Sequence, residues 1–486
     1  MKSDFCRVKF VFYKRYPPDG GLWCPLCGLI LRALCAFFDK KGGGNLEKFL
    51  QLRKENPEFI YHSYEITDEG FSFHFSIGEY HFTPYWKWNG SYITDKTDMK
   101  LLETMVFSLG MAELVSYWKC ACPPTVLVKC GALDDFQIKW WKKLYFNGLC
   151  EFFYRNGIET DRESFMNIIP DSRDVPKFSE TGTERRGALI AVGGGKDSVV
   201  TLELLKGMQK DNLCYIINPR GATLDCAHTA GYEDSQIIGL SRTIDKALLE
   251  RNAAGWLNGH TPFSAIVAFS SYICAVLTGK RYIALSNESS ANETYVTGAE
   301  VNHQYSKSTE FERDFREYTS RYFLTSPEYF SLLRPWSEWQ IAREFVKYPK
   351  YFSVFQSCNL GSKTNSWCSN CAKCLYVYIL LSAFLTDDVL VKIFGCNMLD
   401  NPEFLPMFDG LVLDGKDKPF ECVGTKAEVR LSLEMSLALR KNNPPALLKA
   451  YYGYKEIGGF DIPDLSAFFD NYNFVPAELL PLLRGK

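Results

Sequence analysis

At 486 residues the chain exceeds what one ordinary hydrophobic core supports, so it is expected to divide into two or three domains. Its 46% hydrophobic, 15% aromatic and 23% charged residues describe a soluble globular protein, and a formal charge of −2 excludes the basic field of a nucleic-acid-binding surface. Seventeen cysteines, spread through a long chain whose start does not read as a signal peptide, point to reduced thiols and a cytoplasmic home rather than a disulfide framework.

Residues 1–50 read as an extension without an assignable fold. The apolar run from Leu22 to Phe38 is broken by Pro25 and Arg32, which favours a buried segment over a membrane span, and Cys24-x-x-Cys27 reads as buried thiols ahead of half a metal site. From Phe59 to Trp88 aromatic and polar residues alternate between turn signals at Asp68-Glu69-Gly70 and Gly78, the pattern of a β meander. Apolar residues then recur at helical spacing over Met99 to Cys120 and Phe136 to Asn156, so 51–180 is expected to form an α+β domain rich in aromatic strands, ending near the polar stretch Asp171 to Arg186.

Over 181–400 the rhythm changes. Strands Ala188 to Val192, Leu213 to Asn218 and Tyr282 to Ser286 alternate with helices such as Ser198 to Met208 and Pro262 to Thr278, the latter capped by Thr261 and closed by Gly279. Such alternation predicts an α/β domain, a parallel sheet with helices on both faces, whose ligands sit at the carboxyl ends of the strands. Beyond about Asp400, Pro-rich linkers and amphipathic pieces such as Lys426 to Lys441 predict a helical appendage over 401–486, and no internal repeat or low-complexity tract appears.

The first of those strands ends in "VGGGKDS". A Walker A loop does not fit, because Asp197 follows Gly195-Lys196 and Ile190 stands where the first glycine belongs; a dinucleotide fingerprint fails for want of the acidic ribose contact. Gly193-Gly194-Gly195-Lys196-Asp197-Ser198 instead resembles the Ser-Gly-Gly-x-Asp-Ser PP-loop of ATP-pyrophosphatases, with Gly193 in place of the first serine. Glycines let successive backbone N–H groups approach phosphate oxygens, and a helix starting near Asp197 turns its positive end to the same anion. Ser198 can donate to a phosphate, and Asp197 can orient the loop or hold Mg²⁺ through water. The resemblance implies ATP cleaved between the α and β phosphates, with adenylation of a substrate oxygen. The competing reading is a tightly packed strand-to-helix turn.

Polar residues crowd three later segments: "NPRGATLDCAHTAGY", "LNGHTPFS", and the stretch holding Ser286, Asn287, Glu288, Asn292 and Glu293 followed by Asn302 to Lys307. They form either a binding surface or solvated loops. His228, His260 and His303 fall within them, and with Glu288 they supply groups for proton transfer near neutral pH. Arg334, ahead of the capping box Ser337-x-x-Gln340, is a candidate phosphate or carboxylate contact, with a salt bridge as the alternative; Asn218, where the second strand ends, is a further candidate nucleotide contact. Cys358, Cys368, Cys371 and Cys374 follow C-x9-C-x2-C-x2-C, the spacing of a closed structural Zn²⁺ site, weighed against buried free thiols and an Fe–S cluster.

Taken together, "VGGGKDS", "NGHTPFSAIVAF", "LSNESSANE", "EVNHQYSKSTEFE", "LRPWSEWQIA", "AELVSYWK" and "WWKKLYFNGLCEFF" resemble the UDP-N-acetylmuramoyl-L-alanyl-L-glutamate epimerase family over roughly Phe59 to Leu385. The resemblance implies a PP-loop core of the HUP type. It also implies an ATP- and Mg²⁺-dependent enzyme that inverts the terminal L-Glu of UDP-MurNAc-L-Ala-L-Glu, releasing AMP and pyrophosphate. Asp197, His260, His303 and Glu288 are then the expected catalytic groups, with His228 and Cys226 as substitutes; these positions follow from clustering and not from the family. The aromatic strands would hold the nucleotide-sugar or simply fill the core. A cyano-deazaguanine synthase-like ligase, which shares the loop and the cysteine cluster, is the alternative enzyme, and a zinc-stabilised nucleotide-binding module the non-enzymatic one.

Overall fold

The computed structural model describes residues 45–179, 184–293, 302–324 and 326–484; the run Leu22 to Phe38 and the Cys24 and Cys27 pair lie outside them. Strands β1 (Glu58–Thr67), β2 (Gly70–Ile77), β3 (Tyr80–Phe82) and β4 (Tyr85–Trp88) form the antiparallel meander that the aromatic alternation predicts. Phe59, Tyr61, Phe73 and Phe75 are buried, and Tyr61 stacks on Phe107 with ring centroids 5.7 Å apart. These rings therefore fill the core beneath helix Met99–Trp118. The Tyr61 ring packs so closely on the helix that a Cβ at Gly110 would lie 2.0 Å from its hydroxyl. The second predicted helical stretch divides into Asp135–Gly148, opened by an Asp134/Gln137 capping box, and Cys150–Asn156, closed by Gly157 in the left-handed region.

Two strands, β5 (Thr125–Ala132) and β6 (Asn167–Ser172), extend this half in parallel from β1. The other half contains β7 (Ala188–Ala191), β8 (Leu213–Ile217), β9 (Ile237–Arg242), β10 (Tyr282–Leu285) and β11 (Glu328–Ser331), all parallel. An antiparallel pairing of β4 with β9 joins the halves into one eleven-stranded sheet, in the order β11-β10-β7-β8-β9-β4-β2-β1-β5-β6 with β3 attached to β2. Successive residues of the parallel strands serve opposite layers. Leu189, Tyr215 and Ile283 pack toward Met99–Trp118 and Phe263–Leu277, whereas Ile190, Ile216 and Ala284 pack toward Lys196–Leu204, Glu338–Phe345 and Ala372–Ser382. Burial on both faces is why these strands read as unbroken apolar runs.

Helix Phe263–Leu277 starts without the expected Thr261 side-chain cap. Pro262 occupies the cap position, and Thr261 contributes its carbonyl instead, accepting from the Phe263 N–H at 2.7 Å. Helices Leu405–Val412, Lys426–Leu439 and Ala446–Gly458 follow in the C-terminal part and join the hydrophobic layer around Ala372–Ser382. No helix among the described residues is long and apolar enough to cross a membrane.

One buried ion pair fastens helix Met99–Trp118 to the sheet near the β4–β9 junction. Arg242 donates from Nε to Glu113 Oε2 at 2.8 Å and from Nη2 to Oε1 at 2.5 Å, and Glu113 is fully buried. Burial opposes the guanidinium charge, but Glu113 outweighs it and holds the Arg242 pKa above its ordinary value. Glu113→Ala leaves that charge uncompensated and should cost about 3–5 kcal/mol in denaturant unfolding; a loss under about 1 kcal/mol, the range of surface pairs, would contradict this role.

Candidate active site

Strand order within the parallel half reverses between β7 and β10, so the loops leaving their carboxyl ends part and open a crevice. A cavity of about 400 Å³ lies there, bordered by Gly193, Gly195, Asp197 and Ser198 after β7, Ser286, Asn287 and Glu288 after β10, and the ammonium-bearing Lys307 and Lys373. The predicted turn thus stands where the reversal of strand order opens a pocket.

Its shape is dictated residue by residue. Gly194 has φ +79°, and a Cβ there would lie 2.8 Å from the Ala222 carbonyl carbon and 2.9 Å from Thr223 N, both backbone atoms. Only glycine adopts this conformation at this approach. The Gly194 carbonyl accepts from the Gln356 N–H at 2.7 Å and from the Cys226 thiol at 3.5 Å, which fixes the loop from two sides. Gly193 is different: it lies outside the left-handed region, and a Cβ there meets nothing within 4 Å. Helix Lys196–Leu204 starts at Gly195 without a side-chain cap. Among the described residues no acceptor meets the N–H groups of Gly195, Lys196 and Asp197, so the turn presents unpaired donors beside the cavity. The Ser198 hydroxyl donates to the Gly195 carbonyl at 2.9 Å and tightens the same turn.

Lys196 points into the protein, where its buried ammonium contacts both Asp197 and Glu338. Burial works against the charge, yet the two carboxylates prevail and keep the lysine pKa above its usual value. Arg334 and Asn218, both expected to touch the nucleotide, do not border the cavity. The fully buried Arg334 guanidinium is spent on the Glu288 carbonyl at 2.5 Å, the Lys307 carbonyl and Glu312 at 3.2 Å, so it braces the loops that carry the site. Asn218, at φ +53°, uses its side-chain oxygen to accept from the Arg242 N–H at 2.8 Å.

Glu288 reaches the cavity wall as expected, but the histidines separate. His228 is exposed and pairs with Asp234 at 2.9 Å, while Cys226 is buried beneath the turn; neither borders the cavity. His260 and His303 meet, with ring centroids 4.4 Å apart, over Glu151, whose Oε2 lies 2.5 Å from His303 Nδ1 and 3.7 Å from His260 Nδ1. Burial and the neighbouring His303 hold His260 down to about 4. Burial also disfavours the charge on His303, but Cys422 and Glu151 outweigh it and push it up to about 9. Three potential ligand atoms so close would suit a cation by distance, yet Arg155 on Glu151 at 2.6 Å and Lys119 and Lys307 near His260 make the surroundings cationic. The cluster is a charge-paired hydrogen-bonded group.

Four residues of this region, Lys307, Lys373, Glu151 and Cys422, carry no individual signal in the sequence. Lys307 merely closes the polar run that begins at Asn302, and Lys373 lies between two cysteines of the cluster. No spacing marks Glu151 or Cys422.

The four clustered cysteines converge at the start of helix Ala372–Ser382, with their sulfurs within 4.8 Å of one another and all four free of disulfides. Cys374 Sγ is 3.6 Å from Cys368 and 3.5 Å from Cys371, near the ~3.8 Å edge of a tetrahedron with 2.3 Å metal–sulfur bonds. The Gly361 and Cys368 N–H groups donate to Cys358 Sγ at 3.2 and 3.4 Å, and the Cys374 N–H to Cys371 Sγ at 3.5 Å. Such donors suit thiolates, so the residues present fit a tetrahedral thiolate-bound metal.

Gly194→Ala should lower stability by roughly 2–4 kcal/mol through strain and backbone collision, whereas Gly193→Ser should change it by less than ~0.5 kcal/mol. Parallel denaturation of both variants checks this, and equal losses would contradict the conformations described.

The chain matches the MurL N-terminal domain over residues 51–332 and the MurL C-terminal domain over residues 353–451. It is 33% identical over 345 residues to a UDP-N-acetyl-alpha-D-muramoyl-L-alanyl-L-glutamate epimerase of Xanthomonas oryzae pv. oryzae (strain MAFF 311018), covering 69% of this chain and 75% of that one. It is 34% identical over 329 residues to a protein of the same name from Salinispora tropica, covering 66% and 70% of the two chains. A third so named, from Micromonospora sp. (strain ATCC 39149), is 34% identical over 327 residues, covering 66% and 72%. No solved structure shows a significant match. With both of its domains matched in order around the cavity and the cysteine cluster, the chain belongs to the MurL family.

Proposed function

We propose that this protein is an isomerase that inverts the terminal L-Glu of UDP-MurNAc-L-Ala-L-Glu in the cytoplasm, consuming ATP and releasing AMP and pyrophosphate. The observation that carries the ATP-dependent part is the glycine turn, whose unpaired N–H groups face a crevice at the reversal point of the parallel strands. This arrangement suits a triphosphate, and the strand order together with the turn fits a PP-loop core of the HUP type. The names of the relatives support the substrate and the inversion.

The chemistry explains why activation is needed. A free α-carboxylate repels the carbanion formed beside it, so the α-proton is held firmly. Transfer of AMP to that carboxylate removes the charge and lets the acyl oxygen take up the electron pair when the proton leaves. Gly193 and Gly195 would cradle the phosphates, Lys307 and Lys373 would meet the anionic oxygens, and Asp197 and Glu288 would hold Mg²⁺. The chemistry that Mg²⁺ would supply there is neutralisation of phosphate charge, which would ease departure of pyrophosphate. Cys358, Cys368, Cys371 and Cys374 would hold one Zn²⁺ in a closed site that fixes the loop before helix Ala372–Ser382, and with it Lys373.

Incubation with ATP, Mg²⁺ and UDP-MurNAc-L-Ala-L-Glu in D₂O should yield AMP, deuterium at the glutamyl α-carbon and the D-isomer. Asp197→Ala should lower the rate by about 100-fold or more. Cleavage of ATP only with a different acceptor would favour a ligase of the cyano-deazaguanine synthase type, and full activity of the Asp197 variant would remove the assigned site.

Elemental analysis should find one zinc per chain. Cys371→Ser should lose it and unfold at lower temperature; a metal-free protein of unchanged stability would contradict the zinc assignment.

A further inference from the structure

Cys422 belongs to no motif, lies in the C-terminal part of the chain and is placed beside the cavity only by the fold. Its sulfur accepts from Lys307 Nζ at 3.3 Å and shares a hydrogen bond with the His303 ring. His303 in turn is 2.5 Å from Glu151 Oε2, and the other Glu151 oxygen is held by Arg155 at 2.6 Å. Sulfur, imidazole and carboxylate thus form a line, the relation by which a base orients and charges a thiol. Cys422 and His303 stand behind the cavity wall and do not border it themselves; the line reaches the cavity through Lys307 and Lys373, which border it and also act on Cys422.

The charged groups around the sulfur are Lys307, Lys373 and His303, with Glu421 as the acidic neighbour. Burial alone would keep the thiol neutral, but the three cations outweigh it and bring its pKa well below the ordinary thiol value. With His303 pushed up to about 9, the pair stands as thiolate and imidazolium at neutral pH. Among groups at the cavity wall, Lys307 and Lys373 are cations, Asp197 is tied to Lys196, and Glu288 is assigned with Asp197 to Mg²⁺ above. The sulfur is the anion left beside them that is arranged to accept a proton.

We propose that Cys422 is the base that takes the α-proton from the activated glutamyl residue, with His303 and Glu151 as positioning residues. This rests on the epimerase reading above. In the step, the Cα–H bond breaks, its electron pair passes to the acyl oxygen as an enolate, and the proton forms an S–H bond. A second acid, in exchange with water, protonates the opposite face, and the thiol returns its proton to solvent before the next turnover.

The test separates activation from proton transfer in the full-length protein with UDP-MurNAc-L-Ala-L-Glu, ATP and Mg²⁺. Cys422→Ala and Cys422→Ser should retain exchange of labelled pyrophosphate into ATP, yet lose deuterium incorporation from D₂O at the glutamyl α-carbon by about 100-fold or more. Deuterium uptake at the wild-type rate overturns the proposal. A glutamyl adduct on Cys422 in the wild-type protein, seen by intact mass, also overturns it in favour of a nucleophile. Absence of substrate-dependent pyrophosphate exchange in the wild-type protein overturns the epimerase reading and this inference with it.

A second readout needs no turnover. Alkylation of wild-type Cys422 by iodoacetamide, mapped by mass spectrometry, should stay nearly level from pH 8 to pH 6, with His303→Ala restoring a steeper fall. Ordinary thiol behaviour in the wild type, a fall of about tenfold per pH unit, overturns the proposal.

Discussion

The buried ammonium of Lys196 is the contact on which the arrangement of the site depends. It sits one residue after the glycine turn and is enclosed by Asp197 from its own helix and Glu338 from the neighbouring one. Glu338 in turn offers its N–H to Glu428 Oε1 at 2.7 Å, and Glu428 completes the capping box of helix Lys426–Leu439 with Thr425. One charge therefore links the turn, the helix after β11 and the C-terminal layer. A buried ammonium with only one carboxylate would be costly, so these elements hold their mutual register or the charge goes unmet. The chain that leads into Glu428 also carries Cys422, which lies against Lys307.

A second consequence concerns the distribution of charge. The turn contributes donors without formal charge, while Lys307 and Lys373 supply the cations of the wall. Arg334, the residue that by type would best bind an anion, is withdrawn to stitch Glu288, Lys307 and Glu312 together. Its work is to keep the two loops after β10 at a fixed separation. A buried guanidinium thus serves as scaffolding, while the two lysines supply the positive charge at the cavity wall.

Much of this architecture is legible in the amino-acid sequence. The meander, the helix over Met99–Trp118, the parallel strands and the glycine turn have strong local signatures: alternation, helical period, or glycines where a Cβ would collide. The cysteine spacing likewise foretells four sulfurs in one place. What the sequence hides is set by tertiary contact. Nothing local distinguishes His228, which ends on the surface, from His303, which ends against Glu151; their difference lies in where β8 and β10 deliver the following loops. Arg334 and Asn218 have the right chemistry for a nucleotide, yet nearby carbonyls and the Arg242 N–H claim them first. Cys422 lies more than a hundred residues from His303 and Lys307, and no periodicity reaches across such a gap.

The central claim is that the glycine turn serves transfer of AMP to a carboxylate, and the path of one oxygen tests it. With UDP-MurNAc-L-Ala-L-Glu carrying ¹⁸O in the glutamyl α-carboxylate, a single turnover with ATP should place one ¹⁸O in the phosphate of the released AMP. The label enters AMP when water attacks the acyl carbon and the bridging oxygen leaves with phosphorus. AMP free of ¹⁸O after attack at the acyl carbon is established, or formation of ADP and phosphate in place of AMP and pyrophosphate, would contradict the account.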